Sequence, residues 1–171
     1  MSLNYTKKTV DHFLHPQNIG RIKDPDGYAQ IGNMVCGDQL DFYLKVEKGK
    51  IKDVKFLSFG CASNIATASV MTEKVKGMSV DKAKKFDWNK IVSDLGGLPQ
   101  QKIHCSIMAV QGLQEAIADY EARQEEKIDN KSKKISKSKK VVKKKLTKKK
   151  VSTKKVVKKK ERIKKKTKKN K

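Results

Sequence analysis

Apolar and polar residues alternate over 40–47, where Leu40, Phe42, Leu44 and Val46 are separated by Asp41, Tyr43, Lys45 and Glu47. A period of two sends one set to a buried face and the other outward, so this run predicts a half-buried β-strand. Lys48-Gly49-Lys50 predicts a turn. Val54 and Phe56, alternating with Asp53 and Lys55, predict a second strand that closes an antiparallel hairpin with the first. Gly27 to Val35 reads as a further strand ahead of them. Upstream, Val10, Phe13 and Leu14 mark a short amphipathic helix that stops near Pro16, where the proline ring removes a backbone donor.

After Gly60 the pattern changes period. Ser63 to Lys76 is rich in Ala, Ser and Thr and ends at Gly77, which predicts a helix packed tightly through small residues. Val80 to Leu95 predicts one or two short helices anchored by Phe86 and Trp88. Gly96-Gly97-Leu98-Pro99 breaks the chain, and Ile107, Val110, Leu113, Ile117 and Tyr120 then follow helical spacing on a long last helix. Strands first and helices after point to an α+β fold, with helices covering one face of a small antiparallel sheet.

Charge divides the chain. Of 171 residues, 1–126 hold 17 Lys and Arg against 16 Asp and Glu, whereas 127–171 hold 25 against 2, so almost all of the formal net charge of +24 lies in the last segment. Residues 1–126 are long enough for one hydrophobic core. In 127–171 Lys would meet Lys at i+3 and i+4 on every face of a helix, and apolar residues are too sparse to offset ordering entropy. That segment is expected to be a disordered polybasic tail. Its lysine density predicts salt-sensitive attraction to polyanions such as RNA, DNA, acidic headgroups or acidic proteins. No stretch approaches the roughly 18–20 apolar residues of a membrane span. No apolar run with a small-residue cleavage site follows Met1 to Lys8, so a cytoplasmic setting is expected.

The three cysteines all fall at element boundaries. Cys36 lies in Cys36-Gly37-Asp38, Cys61 in Gly60-Cys61-Ala62-Ser63 ahead of the small-residue helix, and Cys105 in His104-Cys105-Ser106 ahead of the last helix. Two helix N-termini would favour the thiolate, which is the form that binds metal and attacks sulfur. A single such cysteine is as often a packed hydrophobe, and His104 or Asp38 alone is more often a surface histidine or a turn former. Adjacency to the cysteines is what lifts both. With no C-x-x-C pair, the ligands must converge from distant loops. Three thiolates with His104 or Asp38 could complete a tetrahedral zinc site or hold a [2Fe–2S] cluster, which needs two ligands per iron.

The runs "VDHFLHPQNIG", "GNMVCGD", "FGCASNIATASVM" and "GGLPQQKIHCSIMA" resemble the iron–sulfur cluster assembly scaffold proteins of the IscU/NifU N-terminal domain family. The blocks occur in family order with near-matching spacing, over about residues 1–125. The resemblance implies a three-stranded sheet with packed helices. It implies Cys36, Cys61 and Cys105 as ligands of a transient [2Fe–2S] cluster, with Asp38 tied to cluster lability and zinc occupancy, and His104 as an alternative fourth ligand. Cys105 would receive persulfide sulfur, and Tyr5 would match a tyrosine implicated in self-association, as in a homodimer. The implied function is assembly of the cluster from iron and desulfurase-derived sulfur and its transfer to apoproteins, a scaffold and not a turnover enzyme. Implied partners are a cysteine desulfurase and apo iron–sulfur proteins, with ferredoxin, an iron donor and an Hsp70-type chaperone beside them.

The sequence departs from that pattern at Leu98-Pro99-Gln100-Gln101-Lys102, where many relatives carry a Leu-Pro-Pro segment read by the chaperone and only one proline stands here. The further cysteines of full-length NifU proteins are absent. The distance from Cys61 to Cys105 leaves no room for the insertion of the zinc-dependent SufU-type sulfur acceptors, which favours a scaffold over a zinc-holding sulfur relay that activates a desulfurase. A nucleic-acid-binding protein with a structural metal site is the remaining alternative.

Overall fold

The computed structural model describes residues 4–128. The expected disordered tail begins at residue 127; Lys127 and Ile128 are instead helical, and the rest of it lies outside the described residues.

Three antiparallel strands, β1 (Gly27–Gly32), β2 (Gln39–Glu47) and β3 (Lys50–Phe59), form one sheet in the order β1-β2-β3. The hairpin register pairs Phe42 with Phe56 and Leu44 with Val54, so the predicted apolar sets share a face. Lys48 and Gly49 both take positive φ in the two-residue turn between Glu47 and Lys50. That twist matches the right-handed twist of the flanking strands. Around the sheet lie α1 (Lys7–Leu14), α2 (Ala62–Val75), α3 (Val80–Lys84), α4 (Trp88–Asp94) and a last helix, α5, over 103–128. The α+β class and the three-stranded sheet are as expected. β1 is shorter than expected, because 33–37 leaves the sheet as a turn.

The core lies between one sheet face and the helices. Leu40, Phe42, Leu44, Val54 and Phe56 meet Ala66, Val70 and Met71 of α2 and Ala109, Leu113 and Ile117 of α5 in one buried cluster. β2 is more deeply buried than its alternation suggests. Asp41 and Tyr43, expected to face solvent, are also covered. The Tyr28 ring packs on Tyr43 at 5.1 Å, and the Gln30 and Gln39 amides donate to Asp41 Oδ1 at 3.0 and 3.3 Å. A central strand gains this cover from its neighbours' side chains, which a pattern along one strand cannot register.

Two packing arrangements fix α2 and α5. α2 is buried around most of its circumference, from Ser63 and Asn64 through Ala66–Thr72 to Val75. Two of its hydroxyls donate locally: Thr67 Oγ1 to Asn64 O at 3.0 Å and Thr72 Oγ1 to Ser69 O at 2.8 Å. Small side chains whose hydroxyls are hydrogen-bonded let sheet and helices approach it from several sides. α5 crosses the sheet at Gly112, where a Cβ would stand 2.6 Å from the Phe42 ring.

The structure corrects the orientation of α1. Val10, Phe13 and Leu14 were expected to face the core, yet they are 42%, 39% and 61% exposed. The face turned inward carries Thr9 and His12. Polar contacts to α2 hold the segment: His12 Nδ1 pairs with Ser69 Oγ at 2.9 Å, Gln17 N donates to the same oxygen at 2.9 Å, and Asn18 Nδ2 donates to Thr72 Oγ1 at 3.2 Å. Thr6 caps the helix by accepting from Thr9 N, and its hydroxyl donates to Leu95 O. Hydrogen bonds to a buried polar helix outweighed the apolar stripe.

Candidate metal centre

Three chain reversals at one end of the sheet bring the singled-out residues together. The first, between β1 and β2, is closed by Gly37 N to Asn33 O at 2.8 Å, Asn33 N to Asp38 O at 2.9 Å and Val35 N to Asn33 Oδ1 at 2.9 Å. It holds Cys36 exposed at its tip and Asp38 buried at its base. The second is the exit of β3, where Cys61 is the N-cap residue of α2. The third is a single 3-10 turn, Gln100–Lys102, that runs directly into α5. Cys105 therefore sits inside the first turn of the helix and not just ahead of it, and it is wholly buried.

Asp38 is the centre of the arrangement. Its Oδ1 accepts from the Cys61 backbone N–H at 3.1 Å, and its Oδ2 lies 3.3 Å from Cys61 Sγ and 3.9 Å from Cys105 Sγ. The two sulfurs are 3.7 Å apart, and Cys105 Sγ is 3.6 Å from His104 Nε2. Two groups of metal-ligating atoms result, Cys36 with Asp38 and His104, and Asp38 with Cys61 and Cys105, each with its atoms within 4.8 Å of one another. All five predicted site residues meet here, and Asp38 belongs to both groups. The three cysteines are free thiols, and paired soft sulfur with a hard oxygen or a nitrogen suits zinc or iron.

The two close thiols share one proton. Cys61 is pushed down to about 6, chiefly because the Cys105 S–H donates to its thiolate, with the Asn64 backbone adding to the effect against burial and Asp38. Cys105 is pushed up, because the proton it holds is the one it donates, and burial adds to this. Lys102 is raised chiefly by the charge on Cys61, so an ammonium group faces the thiolate. The sequence offered Lys102 only as part of the Leu-Pro segment. Nothing in a linear reading put it beside Cys61. The same holds for Ser63, whose hydroxyl donates to Tyr5 Oη at 3.0 Å and ties the N-terminal segment to the start of α2. Met34, Val35 and Phe59 stand exposed near the thiols in sequence, an apolar accompaniment that residue-type searching for ligands overlooks.

The NifU-like N terminal domain family matches residues 4–127. This chain belongs to that family. Among curated proteins, the NifU-like domain is 47% identical over 125 residues to the iron-sulfur cluster assembly scaffold protein IscU 1 of Archaeoglobus fulgidus, covering 73% of this chain and 81% of that protein. It is 40% identical over 127 residues to the iron-sulfur cluster assembly scaffold protein IscU of Escherichia coli, covering 72% and 98%. It is 41% identical over 130 residues to the iron-sulfur cluster assembly enzyme IscU of Drosophila melanogaster, covering 74% and 84%. Among solved structures, a NifU-like N-terminal protein of Brucella abortus superposes with a TM-score of 0.55 at 20% identity, covering 68% of this chain and 94% of that one. A putative SUF-system scaffold of Fervidobacterium islandicum superposes at 0.54 and 23% identity, covering 66% and 96%. These two likenesses speak to the fold. No described helix is long and apolar enough to cross a membrane.

The shared proton has a measurable consequence. In metal-free protein, thiolate absorbance in the ultraviolet should rise by one thiol's worth with a midpoint near pH 6. Cys61→Ser should abolish that step, and Cys105→Ala should move it up towards the usual thiol range, since the donor is gone. A first thiolate that forms only above the ordinary cysteine range would contradict the assignment.

Proposed function

We propose that this NifU-like domain is a scaffold on which an iron–sulfur cluster is built and from which it is handed to apoproteins. The observation that carries the proposal is the convergence of three thiols, one carboxylate and one imidazole around Asp38, in a chain 40–47% identical to proteins named cluster assembly scaffolds. The cargo is a [2Fe–2S] cluster. Cys61 and Cys105 serve one iron, and Cys36 with Asp38 or His104 serves the other, which matches two ligands per iron to the two groups.

Sulfur delivery follows from the thiols. A cysteine desulfurase offers a persulfide, and a thiolate on this chain attacks the outer sulfur while the desulfurase cysteine leaves as its own thiolate. Cys61, part-exposed and deprotonated near neutral pH, is the first thiolate the persulfide meets. Cys105 lies behind it at 3.7 Å and takes the sulfur in a second displacement, its proton passing to the departing Cys61 sulfur. Two electrons from a ferredoxin-type donor then cleave the persulfide, returning the cysteine thiolate and releasing sulfide to iron. Release of the finished cluster is eased by the oxygen or nitrogen ligand, which holds iron more weakly than a fourth thiolate.

Residues 127–171 carry a second proposed role. With 25 basic against 2 acidic residues, this segment binds polyanions such as RNA by counterion release and tethers the scaffold to them. Deleting 127–171 should abolish RNA retention at low salt, and unchanged retention would dismiss the tether.

Anaerobic reconstitution of the full chain with iron, desulfurase and cysteine tests the main proposal. A visible cluster chromophore should form and move to an apo-ferredoxin. Cys36→Ala and Cys61→Ala should each lose the stable chromophore, and Asp38→Ala should slow its transfer. Tightly held zinc with no cluster formed would instead support a zinc-holding sulfur relay.

A further inference from the structure

Gly60 separates the end of β3 from Cys61, and its backbone does not explain why it is a glycine. Among the described residues, Gly20, Gly37, Gly49, Gly77, Gly96 and Gly97 take positive φ, and Gly60 does not. What its position demands is space. A Cβ at residue 60 would stand 2.7 Å from both Cγ and Oδ1 of Asp38 and 2.8 Å from Nδ2 of Asn64. The missing side chain is the floor on which the Asp38 carboxylate lies, and the Cys61 N–H reaches the same Oδ1 at 3.1 Å.

We propose that Gly60 is a positioning residue for Asp38: its bare Cα lets the carboxylate lie over the Cys61 amide, and so keeps Asp38 between the two ligand groups. The two walls of the crevice are unequal. Asn64 is buried and its Nδ2 donates to Ser58 Oγ at 3.1 Å and to Gln39 O at 3.4 Å, so it cannot withdraw without leaving polar groups unpaired. Asp38 follows a loop whose Val35, Cys36 and Gly37 are exposed, and the atoms in contact, Cγ and Oδ1, are the far end of a side chain that can rotate about its Cα–Cβ bond. A methyl group at residue 60 therefore evicts Asp38. The carboxylate then loses the Cys61 amide and its approaches of 3.3 and 3.9 Å to the two sulfurs, and the two ligand groups lose the member they share. The consequence for cargo rests on the scaffold function proposed above, whereas the placement of the carboxylate does not.

The experiment has a metal-free arm and a cargo arm, both on the full chain. In metal-free protein labelled with nitrogen-15, the Cys61 amide proton should resonate downfield because it donates to a carboxylate. Asp38→Ala and Gly60→Ala should both move it upfield to about the same position, with the amides of β1 and α4 unmoved. In the cargo arm, Gly60→Ala should slow cluster transfer to apo-ferredoxin as Asp38→Ala does, and the double variant should be no slower than Asp38→Ala alone. A merely structural glycine would lower the unfolding midpoint and leave the Cys61 amide in place, which would overturn the inference. If Asp38→Ala moves the amide and slows transfer while Gly60→Ala does neither, the inference fails and the function stands. If both move the amide and neither alters transfer, Gly60 keeps its positioning role and the part given to Asp38 in release fails. Should Gly60→Ala not fold, Asp38→Gly in the same chain removes two of the three short contacts and should restore folding. Failure to restore it would assign the space to Asn64 and overturn the inference.

Discussion

A buried carboxylate set against two thiols is the constraint on which this molecule turns. Asp38 takes a backbone hydrogen bond from Cys61 through one oxygen and faces two sulfurs through the other. Burying a charge is costly unless it is paired. Here the hydrogen-bonded partner is one amide, and the neighbouring thiolate is repulsive. Asp38 raises the pKa of both Cys61 and Cys105, while the proton shared by the sulfurs lowers that of Cys61. Lys102 offsets part of the negative charge. A carboxylate and a thiolate crowded into a site with one facing ammonium form a place where a cation gains more than either anion does alone.

The fold exists to hold that arrangement at different degrees of firmness. Cys61 caps a helix buried around most of its surface, and Cys105 belongs to the first turn of a helix pressed onto Phe42 through Gly112. Cys36 stands on an exposed loop. Two donors are therefore set by close packing, which transmits little motion, and the third by a loop closed through a few backbone hydrogen bonds. Under the proposed function that inequality is useful, because release can begin at the exposed donor without disturbing the core.

Much of this was legible in the linear chain. The alternation on either side of Lys48-Gly49 predicted the hairpin, and the Ala, Ser and Thr composition predicted α2 before any contact was known. The ligand candidates were legible because three cysteines stood at boundaries, two of them beside Asp38 and His104. Other features were not. α1 turned its apolar stripe outward, because His12, Gln17 and Asn18 found buried hydroxyls on α2, and hydrogen-bond partners 50 or so residues away leave no periodic trace. Asp41 and Tyr43 were covered by neighbouring strands. Lys102 came to face Cys61 through a 3-10 turn that no hydrophobic period announces. Gly60 marked only the point where the pattern changes period, and the crowding around its Cα shows that space is what it supplies.

The central claim is that the exposed cysteine and the packed pair act on one ion-binding site through Asp38. Alkylation of the full chain with iodoacetamide, followed peptide by peptide with and without zinc, tests it most directly. The account predicts that zinc protects Cys36 and Cys61 together, over the same range of zinc concentration. Protection of Cys61 while Cys36 reacts at its metal-free rate would contradict it.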